Sequence, residues 1–467
     1  MQAPEEWMKI RKEIFREYDI RGVVGEDLTP ELAAVIGRAV ASKVQKAGKK
    51  EVAVGRDCRL SSPALAQGLT EGLLSSGCRV VDLEVVPTPL VYFSVFYKKM
   101  EAAVMITGSH NPPEFNGFKV MVGEETLYGE GIQDLYRIIE AEDFIKPATE
   151  GTRSEYNPIP EYIDYVASQV RLARPVRVVI DPGNGTAGPV AAPLFRRLGA
   201  EVIELYTEMD GRFPNHHPDP TLPEALKDLI AKVKETGAEL GIAYDGDADR
   251  VGAVDDTGQI IWGDQLMIIF ARDLLASHPG AAVISEVKAS QLLYDEIRRL
   301  GGRPIMWKTG HSLIKKKIRE EKALLAGEMS GHIFFADRWF GFDDAIYASS
   351  RLLEIVSRSD RKLSRYLADL PRTYNTPEIR IYASDEVKFR IVEMVKEALS
   401  QNPGVRQIID IDGVRAVFDR GWGLLRASNT QPVLVLRFEA SSPEDLERIR
   451  SEVHGVLEGV IRKLNAR

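Results

Sequence analysis

The stretch AAVMITGSHNP, residues 102–112, ends an apolar run at a small polar loop and indicates how the chain folds. The apolar run predicts a buried strand, and the glycine, serine, asparagine and proline that follow predict a turn. In open α/β sheets, ligands bind outside the carboxyl ends of the strands. Ser109, with Gly108 before it and Lys119 ten residues later, is therefore a candidate carrier of a phosphoryl or acyl group. An ordinary turn is the alternative for this loop taken alone.

A second loop, DGDADR at residues 245–250, stands between the strand-like runs ELGIAY and VGAVDD. Its three alternate carboxylates would repel one another without a cation among them, and their oxygens suit a hard ion such as Mg²⁺. These residues are Asp245, Asp247 and Asp249. A calcium-binding EF-hand starts with the same spacing but needs glycine at its sixth and glutamate at its twelfth position. Arg250 and Asp256 stand there instead, so a charged turn is the remaining alternative.

A serine hydroxyl beside a carboxylate-held Mg²⁺ predicts phosphoryl transfer. In such reactions the metal neutralises charge on the moving group, and most of the catalysis is positioning and electrostatics. A phosphate carried by Ser109 would add its oxygens to the ligands from the three aspartates.

The order of strand-like and helical patterns predicts the architecture. Strand-like runs alternate with helical patterns up to about residue 370, which predicts α/β domains with mostly parallel sheets. The last hundred residues place several strands in succession and then a helix, which predicts an α+β domain. Stretches rich in turn residues suggest the boundaries. The predicted domains are 1–153 with the serine loop, 154–256 with the metal loop, 257–370 and 371–467.

Composition narrows the class of protein. The 467 residues are 44% hydrophobic and carry a formal net charge of −8, which argues against a nucleic-acid partner. No run of about 18 apolar residues occurs, so we expect no membrane partner and a cytoplasmic location. The two cysteines, Cys58 and Cys78, do not form a disulfide framework. Lys315, Lys316 and Lys317 lie in IKKKIREEK, whose alternating charges predict a solvated helix face.

Four motifs, in order along the chain, resemble the signature loops of the α-D-phosphohexomutases. They are TGSHNPPEFNGFK (107–119), DGDADR (245–250), GEMSGH (327–332) and RASNTQP (426–432). Smaller matches lie between them: FREYDIRG (15–22), NHHPDP (215–220) and KTGHS (308–312). The resemblance covers essentially the whole chain and is strongest to the bacterial phosphomannomutase/phosphoglucomutase branch.

This resemblance implies a fold and a reaction. The fold is three mostly parallel α/β domains plus a C-terminal α+β domain around a central cleft. The reaction is a reversible conversion between the 1-phosphates and 6-phosphates of mannose and glucose, through phospho-Ser109 and a hexose 1,6-bisphosphate. Ser109, Asp245, Asp247 and Asp249 would hold Mg²⁺, and glucose 1,6-bisphosphate would act as activator. We expect phosphosugar substrates as the partners and a monomer or dimer as the oligomeric state.

The resemblance also assigns residues to steps. The attacking hydroxyl must lose a proton, and Lys119, His332 and His311 are the open candidates for the general base. Arg21 is expected to stabilise the charged transition state, and Arg250 to brace the carboxylates or the phosphoserine. The expected substrate-binding residues are Tyr18, Arg250, Lys288, Lys308, Glu328, Ser330 and His332.

The last two motifs predict how the sugar phosphate is held. Glu328 and Ser330 are one residue apart and point the same way in an extended loop. The resemblance implies that they contact O3 and O4, which glucose and mannose share, so we expect dual specificity. RASNTQP offers a guanidinium and several small donors for the non-reacting phosphate. Those residues are Arg426, Ser428, Asn429 and Thr430, and we expect the domain that carries them to hinge near residues 373–377.

Three alternatives stay open. Phosphoglucosamine mutase is the nearest within the family, although GEMSGH looks less like its sugar loop. A haloacid-dehalogenase-like sugar phosphatase would use Asp245 as nucleophile and would release inorganic phosphate without Ser109. A sugar-phosphate-binding protein would keep the pockets without turnover.

Overall fold

The described residues form four β-sheets, which follow one another in sequence. The structure is a computed structural model that describes residues 10–429 and 431–465. Among these residues, no helix is both long enough and apolar enough to cross a membrane.

The first sheet has seven strands in the order β1-β5-β4-β2-β3-β7, with β6 paired to β5. Its strands are β1 (Ile20–Val23), β2 (Glu51–Arg56), β3 (Arg79–Val85), β4 (Ala102–Ile106), β5 (Phe115–Val122), β6 (Glu125–Thr126) and β7 (Thr152–Glu155). Its helices are α1 (Pro30–Lys46), α2 (Ser62–Ser75), α3 (Thr88–Lys98) and α4 (Glu130–Glu140). All five residues of β4 are buried, because helices cover both faces of the sheet, and this explains its uninterrupted apolar sequence.

The second sheet has the order β12-β11-β10-β8-β9. Its strands are β8 (Arg177–Asp181), β9 (Glu201–Glu204), β10 (Leu240–Tyr244), β11 (Val251–Asp255) and β12 (Ile260–Ile261). The helices of this part are α5 (Ile159–Gln169), α6 (Gly188–Leu198) and α7 (Lys227–Thr236).

The third sheet has the order β14-β13-β15-β16. Its strands are β13 (Ala282–Glu286), β14 (Arg303–Trp307), β15 (Leu325–Gly327) and β16 (Ile333–Phe335). Its helices are α8 (Gly263–Ser277), α9 (Gln291–Arg299), α10 (His311–Glu321) and α11 (Ala345–Ser357).

The fourth sheet is antiparallel throughout, in the order β17-β22-β21-β20-β19 with β18 paired to β22. Its strands are β17 (Tyr374–Asn375), β18 (Ile379–Tyr382), β19 (Gln407–Ile409), β20 (Val414–Phe418), β21 (Gly421–Ala427) and β22 (Val433–Ala440). Two helices pack on it, α12 (Lys388–Ser400) and α13 (Pro443–Asn465). The predicted fold class, three α/β parts followed by an α+β part, is confirmed.

A repeated unit explains where the polar loops lie. The parallel strands β4-β2-β3, β10-β8-β9 and β15-β13-β14 have the same order, and each group continues into an antiparallel strand, β5, β11 or β16. The sheets are therefore mixed rather than mostly parallel. TGSHNP, DGDADR and GEMSGH each connect the third parallel strand to that antiparallel strand. One architectural position thus supplies three of the four signature loops.

The predicted domain boundaries remain proposals. β7 pairs with β3 and continues past residue 153, and β12 pairs with β11 after residue 256. Sheet pairing therefore favours placing both boundaries a few residues later than predicted.

The apolar core is shared unequally among the four parts. One continuous cluster joins the first three, through residues such as Phe93 of α3, Tyr162 of α5 and Tyr347 of α11. The fourth part has a core of its own. A small cluster of Val287, Trp422 and Leu424 joins it to the third part. Because so little apolar surface is shared there, relative motion is expected at that junction before any other.

Candidate active site

The Ser109 loop is held in a strained turn at the carboxyl end of β4. Ser109 has a backbone φ of 50°, in the left-handed region that side chains rarely adopt. Its backbone N–H donates to Thr107 Oγ1 over 2.8 Å, and the Gly108 N–H donates to Asp57 Oδ2 over 3.0 Å. These contacts present the Ser109 hydroxyl, on a residue 3% exposed, to the neighbouring domain.

Arg59, which was not predicted as a site residue, holds this loop in place through hydrogen bonds. Its side chain is fully buried, and its Nε donates to Asp57 Oδ2 over 3.1 Å. Its other nitrogens donate to four carbonyls of the loop, those of Ser109, Asn111, Pro112 and Phe115. A Cβ at Gly108 would lie 2.4 Å from the guanidinium, so glycine is required for this close approach. Asp57 and Arg59 follow β2, so the rule that sites form at strand carboxyl ends could have identified them.

The Ser109 hydroxyl joins the first domain to the metal loop of the second. Its Oγ donates to Asp245 Oδ2 over 2.9 Å and lies 3.1 Å from Nδ1 of His110. Burial lowers the pKa of His110 well below its ordinary value, and the charges of Arg250 and Arg21 lower it further. His110 is therefore a neutral neighbour of the serine.

The three aspartates of DGDADR form a compact, fully buried group. Asp245, Asp247 and Asp249 each offer an oxygen within 4.8 Å of the others. Burial raises the pKa of Asp245 well above its ordinary value, and the charges of Asp247 and Asp249 add to the effect. Oδ1 of Asp247 and Oδ1 of Asp249 have no hydrogen-bond partner in the described part of the chain. Buried, unpartnered oxygens from carboxylates are a donor set that fits Mg²⁺.

Lys119 supplies the positive charge that this group needs. Its Nζ lies 2.8 Å from Asp247 Oδ2 and 2.5 Å from Asp249 Oδ2. Burial alone would lower the pKa of Lys119, but the two carboxylates outweigh burial and raise it well above the ordinary value. Thr88, which was not predicted, donates its hydroxyl to Asp247 Oδ2 over 2.5 Å.

Arg21 contacts the serine loop from β1. Its Nη1 donates to the Gly108 carbonyl over 3.2 Å and to Asn111 Oδ1 over 2.9 Å, while Nη2 pairs with Asp19. The guanidinium is thus aimed at the loop that carries the hydroxyl, where a transferring group would develop charge.

Two histidines lie side by side between the metal loop and the third domain. The rings of His311 and His332 stack with centroids 5.5 Å apart. Arg250 donates its Nε–H to His332 Nε2 over 2.9 Å. His332 Nδ1 lies 3.0 Å from Asp343 Oδ2 and 3.6 Å from Asp249 Oδ1. Asp343 is fully buried and was missed, because its GFDDA segment has no spacing that distinguishes it from a helix cap.

The side chains of Glu328 and Ser330 of GEMSGH contact each other. Ser330 Oγ lies 3.4 Å from Glu328 Oε2, and Glu328 Oε1 accepts the backbone N–H of Gly310 over 2.6 Å. The two lysines that were predicted to bind substrate, Lys288 and Lys308, lie in different environments. Lys288 Nζ lies 2.6 Å from Glu378 Oε1 and 3.5 Å from Glu286 Oε1, whereas Lys308 is exposed.

The RASNTQP loop of the fourth domain contacts the first domain through Tyr18. The Tyr18 hydroxyl donates to the Thr309 carbonyl over 2.7 Å and accepts from Asn429 Nδ2 over 3.1 Å. Arg426 Nε pairs with Asp412 Oδ2 at 3.1 Å, and Ser428 Oγ accepts the Gln431 N–H. Thr430, also predicted, lies outside the described residues.

The structure therefore brings most of the predicted residues into one region where all four domains meet. Ser109, Lys119, Arg21 and the three aspartates form one group. His332, His311 and Arg250 adjoin it, and Tyr18 links the third and fourth domains beyond. His216 of NHHPDP is elsewhere, with Nε2 3.0 Å from Asp181 and Nδ1 3.0 Å from the His217 carbonyl, in a structural loop.

Comparisons with known proteins agree with this geometry. Family models of phosphoglucomutase/phosphomannomutase match four segments: α/β/α domain I at residues 12–146, domain II at 160–258, domain III at 262–374 and the C-terminal domain at 378–456. A phosphomannomutase/phosphoglucomutase of Pseudomonas aeruginosa is 51% identical over 96% of each chain. A phosphoglucomutase of Neisseria gonorrhoeae is 48% identical over 96% of this chain and 97% of its own.

A solved structure shows the same arrangement of domains. The crystal structure of a phosphoglucomutase/phosphomannomutase family protein from Burkholderia thailandensis superposes with a TM-score of 0.91. It is 44% identical and covers 97% of this chain and 98% of its own. Four domain matches and identities near one half leave no ambiguity about ancestry. The chain belongs to the phosphoglucomutase/phosphomannomutase family, the α-D-phosphohexomutases.

Proposed function

We propose that this protein is a phosphohexomutase that interconverts the 1-phosphates and 6-phosphates of glucose and mannose. The observation that carries the proposal is the Ser109 hydroxyl, 2.9 Å from Asp245 at the edge of a buried group of three aspartates. C1 and C6 of a hexose are too far apart for a direct shift of phosphate. Two transfers through phospho-Ser109, with a hexose 1,6-bisphosphate between them, solve this problem.

Ser109, Asp245, Asp247 and Asp249 are the residues that would hold Mg²⁺. When bound, the ion would neutralise negative charge on the transferring phosphoryl group. Lys119 already contacts Asp247 and Asp249, so we assign it the task of balancing their charge and of contacting phosphoryl oxygens. Arg21, fixed by Gly108 and Asn111, adds a second cation on the serine side.

Among the three candidate bases, the contacts favour His332. Lys119 contacts Asp247 and Asp249, and the charges of these carboxylates raise its pKa. His332 accepts a hydrogen bond at Nε2, so that atom carries the lone pair that a base needs. A substrate phosphate or hydroxyl that drew Arg250 away would free Nε2 to take the proton. His311, with a pKa lowered well below its ordinary value by burial, is the second candidate.

Glu328 and Ser330 are assigned to the sugar hydroxyls O3 and O4, which would give the dual specificity. Arg426, Ser428, Asn429 and Thr430 are assigned to the phosphate that does not react, with Lys288, Lys308 and Tyr18 at the same side of the cleft. Because each end of the bisphosphate must occupy this place in turn, the fourth domain must release and recapture the intermediate. Glucose 1,6-bisphosphate would activate the enzyme by phosphorylating Ser109.

A coupled assay tests the substrate assignment. Purified protein is given Mg²⁺, catalytic glucose 1,6-bisphosphate and the 1-phosphate of glucose, mannose or glucosamine. Comparable rates with glucose and mannose support the proposal. Turnover of the aminosugar alone would indicate phosphoglucosamine mutase instead.

The same assay distinguishes a phosphatase that uses Asp245. A mutase conserves the phosphate ester, so inorganic phosphate stays at the background level. Steady release of inorganic phosphate that survives Ser109→Ala would replace the proposal with the phosphatase.

A further inference from the structure

Lys288, which is assigned to the substrate, is paired with a carboxylate from another domain. Its Nζ lies 2.6 Å from Glu378 Oε1, and this ion pair joins the third domain to the fourth. Lys288 is 8% exposed. Its positive charge is the main reason that the pKa of Glu378 falls to about 2, so the carboxylate is ionised at neutral pH. Glu378, which was not predicted as a site residue, therefore occupies an ammonium that the substrate needs.

Glu286 is a second carboxylate beside Lys288, but its other contacts fix it in place. Its Oε1 lies 3.5 Å from Lys288 Nζ and accepts the backbone N–H of Met329 over 3.1 Å. Its Oε2 accepts the Thr309 hydroxyl over 2.6 Å. Glu286 is thus held by two loops of its own domain, whereas Glu378 reaches Lys288 from the fourth domain.

Glu378 has an alternative partner two residues along the chain. Its Oε2 lies 3.6 Å from Arg380 Nη2, and Arg380 Nη1 donates to Gln431 Oε1 in the RASNTQP loop over 3.2 Å. The Glu378 side chain is 26% exposed and that of Arg380 is 58% exposed, so both have room to turn. A Glu378 carboxylate that leaves Lys288 can therefore pair with Arg380 instead.

A phosphate on Lys288 would lie close to the Glu378 carboxylate. The charges of Lys288, Arg380 and Arg426 all lower the pKa of Glu378, so this carboxylate lies among the cations expected to bind the phosphate. Two anions that contact one ammonium lie within about 6 Å of each other, and like charges at that distance repel. Arg426 is in a different position, because it pairs with Asp412 through Nε and a guanidinium has two further nitrogens for a phosphate.

We propose that Glu378 sets the affinity of the substrate site by occupying Lys288 until a sugar phosphate displaces it. The inference rests on the proposed function, which assigns Lys288 to the substrate. The phosphate takes the place of the carboxylate at Nζ, and Glu378 turns to Arg380. Binding therefore costs the free energy of the Lys288–Glu378 pair, and this cost helps the bisphosphate to leave and return. Because Glu378 directly follows the expected hinge at residues 373–377, the exchange also removes an ion pair between the third and fourth domains.

Calorimetric titration with glucose 6-phosphate tests the exchange. The titrated chains carry Ser109→Ala, which prevents turnover during the measurement. Glu378→Gln removes the competing charge and keeps the shape of the side chain, so we expect it to bind glucose 6-phosphate tighter by about threefold or more. The matched control is Glu393→Gln, which breaks a Lys–Glu pair within α12 and leaves the affinity unchanged.

The sign of the change separates competition from damage, since a variant that only disturbs the site binds more weakly. An affinity that stays the same or falls in Glu378→Gln contradicts this proposal alone. Failure of the parent Ser109→Ala chain to bind glucose 6-phosphate contradicts the proposed function, and this proposal with it. Glu378→Ala, which removes the same charge, is titrated with the same expectation if Glu378→Gln does not fold.

Crystals of the Ser109→Ala chain grown with glucose 6-phosphate give an independent readout. We expect Lys288 Nζ to lie within hydrogen-bonding distance of the ligand and Glu378 to pair with Arg380. A Lys288–Glu378 pair that keeps its 2.6 Å contact beside the bound ligand would overturn the exchange.

Discussion

Arg250 donates its Nε–H to Nε2 of His332 over 2.9 Å, and this contact fixes where the imidazole carries its proton. Because Nε2 accepts, the neutral ring is protonated at Nδ1. Nδ1 lies 3.0 Å from Asp343 Oδ2 without the alignment of a hydrogen bond, so the buried carboxylate favours this tautomer through its charge. The arrangement leaves the lone pair on the nitrogen that faces Arg250.

Replacing the carboxylate that faces His332 is therefore expected to slow the reaction without weakening substrate binding. Asp343→Asn lowers kcat by about 10-fold to 100-fold, changes KM little and shifts the pH profile of kcat. Asp337→Asn is the matched control, because the Asp337 carboxylate is also shielded from solvent and pairs with Arg351. Steady-state kinetics check the expectation, and an unchanged kcat and pH profile would show that Asp343 does not position His332.

Magnesium is expected to stabilise the folded protein through the three aspartates. At a concentration of 100 times its Kd, the ion adds about 2.7 kcal/mol to the free energy of unfolding. Asp247→Asn removes one of the unpartnered oxygens and most of this gain, while Asp210→Asn, at a half-buried aspartate that pairs with Arg212, leaves it intact. Thermal unfolding with Mg²⁺ and with EDTA measures the difference. Equal gains in all three proteins would exclude these aspartates as the ligands.

Tyr18 is expected to hold the fourth domain against the other three. A Cβ at Gly310 would lie 2.5 Å from the Tyr18 ring, so the tyrosine fits only against this glycine. Tyr18→Phe removes the hydrogen bonds to Thr309 and Asn429, and the closed arrangement loses about 1 kcal/mol.

Small-angle scattering of Tyr18→Phe should show a larger radius of gyration than the unaltered protein. The control is Tyr206→Phe, which loses a hydrogen bond to Asp228 within the second domain. Scattering curves that superpose for all three proteins would mean that this tyrosine does not set domain closure.

His216 is expected to make stability depend on pH. Both of its ring nitrogens face acceptors, Asp181 and the His217 carbonyl, so the ring carries two protons. Burial alone would lower the pKa of His216, but these acceptors outweigh burial and raise it above the ordinary value. A raised pKa contributes stability that is fully present below about pH 6.5 and is lost as the pH rises through the folded value.

Urea unfolding between pH 5 and 9 measures this contribution. The free energy of unfolding of the unaltered protein should fall relative to that of His216→Gln as the pH rises through this range. A constant difference between the two proteins across the range would contradict the protonated ring.

The sequence predicts the positions of loops better than it predicts contacts between domains. β4 and β10 are buried on both faces, so their uninterrupted apolar runs mark the strands and the loops that follow. Ser109 and the three aspartates could be identified because each stands where such a strand ends. The antiparallel partner strands were not anticipated, since an apolar run does not reveal its pairing direction.

Residues that act across domain boundaries were harder to predict. Arg59 and Asp343 are charged side chains buried by partners distant in sequence, and no local spacing distinguishes them from solvated charges. For Lys315 the prediction was wrong in the opposite sense. The alternating charges around it predicted an exposed helix face, but the structure buries Lys315 against Asp343 and Tyr92. Helical spacing indicates which residues share a face, but not which face another domain covers.

The most direct test follows a single phosphoryl group. The protein is incubated with Mg²⁺ and hexose 1,6-bisphosphate bearing radioactive phosphate, and the labelled residue is located by peptide mass spectrometry. The mechanism predicts label on Ser109, its transfer to unlabelled glucose 1-phosphate, and neither label nor turnover in Ser109→Ala. Turnover with no label on Ser109, or label on Asp245, would contradict it.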